Sequence, residues 1–210
     1  MSRVVVLDYG SGNLRSAERA LARVGADVTV TDDLTAAAEA DGLVVPGVGA
    51  FAACMAGIEA LGAGPVIAER VAAGRPVLGI CVGMQVLFEH GSEHGVVTKG
   101  LGLFPGGVTR LTAARLPHMG WNTVAAPAGS VLFAGLPADS RFYFVHSYGA
   151  ADQGALVDVG ATVTIAHHET DFVAAVERGP LRAAQFHPEK SADTGAALLR
   201  NWLATLSTGD

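Results

Sequence analysis

The chain has 210 residues, half of them hydrophobic and 16 % charged, which is enough for one sizeable core and short for two independent ones. The formal charge is −6 and no Lys/Arg stripe stands out, which excludes the usual basic nucleic-acid surface. Two cysteines cannot build a disulfide framework, so a reducing, cytoplasmic setting is expected.

The chain enters directly on "RVVVLDYG", too short an apolar run for a secretory leader, and its first six residues after Ser2 read as a buried strand. "NLRSAERALARVG" reads as a helix closed by Gly25. "DVTV" and "GLVV" are further strands with an Ala-rich helix between them. "AFAACMAGIEAL" and "PVIAERVAAG" read as helices; Glu59, Pro65 and three glycines in this stretch argue for a buried helix pair against a membrane span. "PVLGI" is a strand running into a helix over "VGMQVLFEH". Strands alternating with helices imply βαβ units and a largely parallel sheet covered on both faces.

The second half changes character. "GGVTRLT", "GWNTV", "RFYFVHSY", "TVTIAHH", "DFVAAVER" and "LRAAQFH" read as strands at short, hairpin-like spacing. The closing helix "SADTGAALLRNWLATL" carries Leu199, Trp202, Leu203 and Leu206 on one face, with Ser191 as its N-cap. The expected architecture is a single three-layer α/β domain over 1–210. Its central sheet is mixed and largely parallel, flanked by helices, with a smaller antiparallel sheet beside it.

Cys81 falls where the "PVLGI" strand turns sharply into a helix. Such an elbow exposes a side chain beyond the sheet's C-terminal edge, and helix-start N–H groups favour a thiolate. The N–H of Val82 is placed to bind a developing oxyanion. On these residues alone, a buried inert cysteine stays open as the alternative, and Cys54 is expected to be core. A thiol nucleophile needs an imidazole and an orienting carboxylate. "QFHPEKS" supplies both: Pro188 holds His187 extended, so His187 and Glu189 project to one side. A strand-end histidine bonded to a backbone carbonyl is the competing reading.

"LVVPGVGAF" follows a buried strand with two glycines around Val48. It suits an oxyanion-binding turn, or equally a plain tight connection. "DYGSGNLRS" imitates the start of a dinucleotide fingerprint, but Arg15 occupies the third glycine position, so no nucleotide cofactor is expected. His167 and His168 are adjacent, and His90 and His94 end among glycines. No metal site is expected.

Taken together, "GICVGMQ", "QFHPEKS", "DYGSGNLRS", "PGVGAF", "HMGWN" and "FYFVHSY" resemble, in order and over essentially the whole chain, the class I (triad-type) glutamine amidotransferases. They are most similar to the branch that feeds a partner cyclase of histidine biosynthesis. The resemblance implies Cys81 as nucleophile, His187 as general base and acid, and Glu189 as the orienting carboxylate. It implies Pro46, Gly47, Val48 and Gly49 as an oxyanion strand and Gln85 as a substrate-holding residue, with L-glutamine as substrate. It also implies a heterodimer with a (β/α)8-barrel cyclase that receives ammonia, docked at Asn13, Trp121, Tyr143 and Lys190. The isolated chain is then expected to be a poor glutaminase, its Gly47–Val48 peptide turned away until the cyclase docks. A glutaminase of another pathway, a non-catalytic regulator and a cysteine redox protein are the rival readings. "HMGWN", the intact triad and the His-Pro-Glu segment each argue against one of them. Between Ile165 and Phe172, "AHHETD" lacks the tyrosine-glycine turn of many relatives, which leaves the hairpin there open.

Overall fold

The computed structural model describes residues 1–206. The first half delivers the expected alternation: β1 (Arg3–Leu7), α1 (Leu14–Arg23), β2 (Asp27–Thr31), α2 (Leu34–Glu39), β3 (Gly42–Gly47), α3 (Phe51–Leu61), α4 (Ala63–Ala72), β4 (Val77–Cys81) and α5 (Val82–Gln85). Then follow β5 (Phe88–Glu93), β6 (Val96–Lys99), β7 (Phe104–Arg110), β8 (His118–Thr123), β9 (Arg141–His146) and β10 (Tyr148–Ala150). α6 (Gly154–Asp158), β11 (Thr162–His168), β12 (Thr170–Arg178), β13 (Leu181–Ala184) and α7 (Ala192–Leu203) complete the chain.

Seven strands form the central sheet in the order β11-β12-β13-β4-β3-β1-β2. The five from β13 to β2 are parallel and the β11–β12–β13 edge is antiparallel. β1 pairs with both β2 and β3, so the chain reverses direction across the sheet there. Right-handed crossovers then put α1 and α2 on opposite faces. Accordingly α1 packs on α7, while α2 packs on α4 and α4 on α3. The strands β3 and β4 are buried at every residue, as a doubly covered parallel sheet requires.

The smaller layer consists of a four-stranded sheet, β10-β7-β5-β6, and a separate antiparallel ribbon of β8 and β9. The β5/β7 pair is parallel. This corrects the reading of Val82–His90 as one helix: only four residues are helical, and Phe88 onward pairs with β7 and β6. The apolar spacing of Leu87 and Phe88 reflects burial of a turn and a strand start, which helical periodicity over so short a run cannot distinguish. α3 and α4 are bent by 88° against each other, and no single described helix is long and apolar enough to cross a membrane.

Residues 165–172 do form a hairpin. His168 faces Thr170 across Glu169, whose φ is 60° and whose carboxylate accepts from the N–H groups of Ala114 and Arg115. The Glu169 carboxylate ties the hairpin tip to the Ala114–Arg115 segment.

Candidate active site

Cys81 ends β4 with φ 56° and ψ −116°, a left-handed conformation that costs a non-glycine residue about 1–3 kcal/mol. The surrounding packing enforces it. The first turn of α5 presses so closely on the end of β3 that a Cβ on Gly83 would sit 1.9 Å from the carbonyl oxygen of Val45, and one on Gly47 would sit 2.4 Å from the nitrogen of Gly83. Only glycines fit at this crossing. With four residues, α5 offers free N–H groups but little macrodipole, so the polarity at Cys81 comes mainly from side chains.

His187 comes to the Cys81 cavity from the stretch after β13, the neighbouring parallel strand. In the extended stretch after β13, alternate residues point to opposite sides. Phe186 goes into an aromatic cluster, its ring 4.2 Å from Phe142 and 5.4 Å from Phe144. Burying such a ring stabilises by about 1.5–3 kcal/mol, which anchors the strand and leaves Gln185 and His187 on the Cys81 side. Glu189 meets His187 by a different route from the expected one: Pro188–Lys190 is a 3-10 turn, and it folds the carboxylate back onto the ring. His187 Nδ1 lies 2.7 Å from Glu189 Oε1, with each side chain 2 % exposed.

Ser191 fastens this turn. Its position at the start of α7 is as expected, but its hydroxyl does not cap the helix. It donates to the His187 carbonyl at 2.6 Å and accepts from the Tyr143 N–H at 2.9 Å, while the His187 N–H donates to the Tyr143 carbonyl. Burial pulls the His187 pKa down. Hydrogen bonds to the Cys81 sulfur and to Glu189, with their charges, more than offset this and raise it to about 9. The imidazole is therefore protonated at neutral pH.

Of the expected oxyanion residues, Val48, Gly49 and Val82 line a cavity of about 250 Å3 that opens onto Cys81, together with Gln85, His187 and Lys190. Pro46 and Gly47 lie inside β3, where Gly47 is in register with Cys81 and the Pro46 carbonyl accepts from the Tyr9 hydroxyl. The Val48 N–H donates to Ser11 Oγ at 3.0 Å. A cavity this size, below the drug-sized range of about 300–1,000 Å3, suits a ligand of amino-acid dimensions. A larger hollow of about 510 Å3 between Val124 and Phe142 has no ionisable lining and lies apart from Cys81. Among the described residues no group of three or more His, Cys, Asp or Glu side chains is arranged to hold a metal ion.

Five cavity residues were not singled out in the sequence as site residues: Glu93, Val145, His146, Ser147 and Tyr148. Glu93 ends β5, beyond the stretch read as a helix, and its carboxylate accepts from the Phe51 N–H at 3.0 Å. Gln185, fully buried, was also missed, although its position two residues before His187 in an extended run signals a shared face. Cys54 is buried, as expected for core, and its thiol donates to the Val48 carbonyl at 3.4 Å.

Of the expected docking residues, Trp121 is 50 % exposed and meets Tyr143 edge-on at 6.0 Å across the β8–β9 ribbon. Lys190 is exposed at the cavity mouth. Asn13 turns inward, its amide donating to Glu189 Oε1 at 2.5 Å, so it supports the carboxylate.

The sequence model described as "Glutamine amidotransferase class-I" matches residues 5–206. The chain is 64 % identical to a Mycolicibacterium paratuberculosis protein named imidazole glycerol phosphate synthase subunit HisH, over 97 % of this chain and 98 % of the relative. It is 63 % identical to the Thermobifida fusca protein of the same name, over 97 % and 99 %. A crystal structure of a glutamine amidotransferase shares the fold at 21 % identity with a TM-score of 0.75, over 95 % of this chain and 97 % of the other. With its family model spanning nearly every described residue, the chain belongs to the class-I glutamine amidotransferases.

Proposed function

We propose that this chain, as a single domain, is the glutaminase subunit of an imidazole glycerol phosphate synthase, with Cys81, His187 and Glu189 as its triad. The Cys81 thiolate attacks the carboxamide carbon of L-glutamine. The oxyanion that forms is held by the N–H of Val82 and, once turned inward, by that of Val48. The tetrahedral intermediate collapses with a proton passing from His187 to the departing nitrogen, which releases ammonia and leaves a glutamyl thioester. His187 then takes a proton from water, whose attack frees glutamate and restores the thiolate. Glu189 keeps the His187 Nδ1 engaged throughout, so Nε2 is the nitrogen that exchanges protons.

The observation that carries this reading is the His187 Nδ1–Glu189 contact of 2.7 Å, with His187 and Cys81 lining the same amino-acid-sized cavity. Both amide hydrogens of Gln85 are engaged by Tyr148 and Gln185, so its Oε1 is left to accept from a ligand. With the Glu93 carboxylate, it suits the ammonium group of an amino acid.

Ammonia passes in this reading to a (β/α)8-barrel cyclase, docked in a heterodimer over Asn13, Trp121, Tyr143 and Lys190. The cyclase uses it to make imidazole glycerol phosphate and an aminoimidazole carboxamide ribonucleotide in the cytoplasm. Exposed Met119 and Trp121 on one face of β8 give that surface an apolar centre beside the cavity mouth. The Val48 N–H, bonded to Ser11, supports a resting state in which one oxyanion donor is withheld.

Glutamine turnover by the wild type and Cys81→Ala, each with and without purified cyclase, tests the proposal. Expected are low turnover alone, a rise of about a hundredfold or more with cyclase, and none from the variant. Turnover surviving in Cys81→Ala overturns the triad. Equal rates with and without cyclase overturn the gating.

A further inference from the structure

Side chains outside the triad form a continuous hydrogen-bonded chain whose direction is set at one backbone atom. The carbonyl oxygen of Tyr148 can only accept, and both His146 Nδ1 and Gln85 Nε2 lie 2.9 Å from it. His146 therefore carries its proton on Nδ1, and its Nε2 is an acceptor. His118 Nδ1, 3.1 Å from that nitrogen, donates to it. His118 Nε2 accepts in turn from the Asn122 amide at 3.3 Å, and the same amide nitrogen donates to the His167 carbonyl at 2.9 Å. On the other side of Tyr148, Gln85 Nε2 also donates to Gln185 Oε1 at 2.9 Å. That turns Gln185 Nε2 to the Cys81 sulfur, at 3.8 Å.

All four side chains of this chain's core are buried: Gln185 at 0 % exposure, Gln85 at 3 %, His118 at 5 % and His146 at 7 %. The His118 ring stacks between Phe144 at 4.8 Å and His168 at 4.3 Å. Flipping either histidine tautomer would set N–H against N–H, or leave a buried donor unpaired, at a cost of about 1–3 kcal/mol. Burial also holds both rings well below 6.5, at about 4 for His118 and about 3 for His146, so each carries one ring proton at neutral pH.

We propose that Gln185 is a catalytic group that donates an amide N–H to the Cys81 sulfur, and that His146 and His118 are positioning residues that hold the Tyr148 carbonyl and so fix the Gln85–Gln185 direction. The proposal rests on Cys81 being the nucleophile. A donor to sulfur is worth more to the thiolate than to the thiol, because the bond is charge-assisted only in the ionised state. His187, Tyr9 and Cys54 also act on this sulfur, Glu189 acts through His187, and Glu93 and Lys190 stand on the cavity wall. The role of Gln185 therefore has to be isolated by substitution.

The test is the rate of iodoacetamide alkylation against pH on the full chain, read at the Cys81 peptide by mass spectrometry so that Cys54 is scored separately. Gln185→Met keeps the volume and removes the donor. The expected result is an approximately tenfold slower alkylation at pH 7, with the pH midpoint moved up by about one unit. His118→Phe keeps the stacked ring and removes both nitrogens; it should shift the midpoint the same way by less, and His118→Asn, which retains a donor near Nδ1, should restore it. An unmoved midpoint in folded Gln185→Met overturns the assignment. Should that variant not fold, nitrogen NMR of the wild-type histidines decides: Nδ1–H tautomers at both His118 and His146 uphold the chain of donors, and an Nε2–H tautomer at either overturns it. Wild type that alkylates with the expected profile yet turns over no glutamine with cyclase refutes the glutaminase reading alone.

Discussion

The backbone N–H of Val48 donates to the Ser11 hydroxyl at 3.0 Å, and the Val48 carbonyl accepts from the Cys54 thiol at 3.4 Å. Both polar groups of the residue expected to help bind the oxyanion are thus engaged within the chain itself. Ser11 holds the donor that the proposed oxyanion site would use. Ser11→Ala removes a neutral hydrogen bond worth about 1 kcal/mol, so partner-free glutamine turnover should rise about fivefold. An unchanged partner-free rate would show that Ser11 does not restrain the strand.

Glu189→Gln replaces the anionic acceptor at His187 Nδ1 with an amide of the same shape. The ring should lose basicity, shifting the pH–rate profile to lower pH, and kcat should drop on the order of 10²–10⁴-fold. Retained kcat with an unmoved profile would remove Glu189 from the triad.

The same pair makes stability depend on alkaline pH. The folded-state pKa of His187, about 9, lies above the ordinary histidine value of 6.5, so between these values the folded chain binds more protons than the unfolded one. This stabilisation is fully present below about pH 6.5 and is lost as pH rises through about 9. Thermal denaturation between pH 6.5 and 9 should show Tm falling, with a shallower fall in Glu189→Gln.

His118 and His146 act in the opposite direction. Their folded-state values, about 4 and about 3, lie below the ordinary 6.5, so the unfolded chain binds more protons once pH falls below that value. Their contribution is present above about pH 6.5 and is lost as pH drops through the folded values. Tm measured from pH 6.5 to 4 should decline, and His118→Phe should flatten the slope even if it lowers Tm overall.

Arg70 illustrates a purely architectural use of charge. It is 2 % exposed and its guanidinium donates to the carbonyls of Ala37, Ala38 and Ala40 at 2.9 Å, closing the end of α2, and to that of Pro76 at 3.1 Å. Arg70→Met keeps much of the stem and strands those acceptors, so urea denaturation should show a loss of about 2–4 kcal/mol. A loss below about 0.5 kcal/mol would mean that water replaces the guanidinium there.

What the sequence displayed and what it hid divide on physical lines. The strands β1, β3 and β4 were legible because doubly buried strands read as continuous apolar runs, and Cys81 because a strand-to-helix elbow leaves glycines on both sides of it. His187 and Glu189 were legible as partners, although the turn that unites them was not, since Pro188 permits both an extended segment and the first position of a 3-10 turn. The four-residue length of α5 was not legible: the residues after Gln85 are apolar in either outcome, and the decision is made by pairing with β7, more than ten residues ahead. Ser191 shows the same limit. Its place before a helix is local information, while its bonds to His187 and Tyr143 depend on the tertiary arrangement.

The central claim is that Cys81 carries the glutamyl group. The most direct measurement treats the chain, complexed with its cyclase, with a diazo-ketone analogue of glutamine and maps the adduct by mass spectrometry. The account predicts one adduct, on the Cys81 peptide, formed in step with loss of turnover and blocked by excess glutamine. An adduct on Cys54 that tracks the loss of turnover, or full inactivation with Cys81 unmodified, would contradict it.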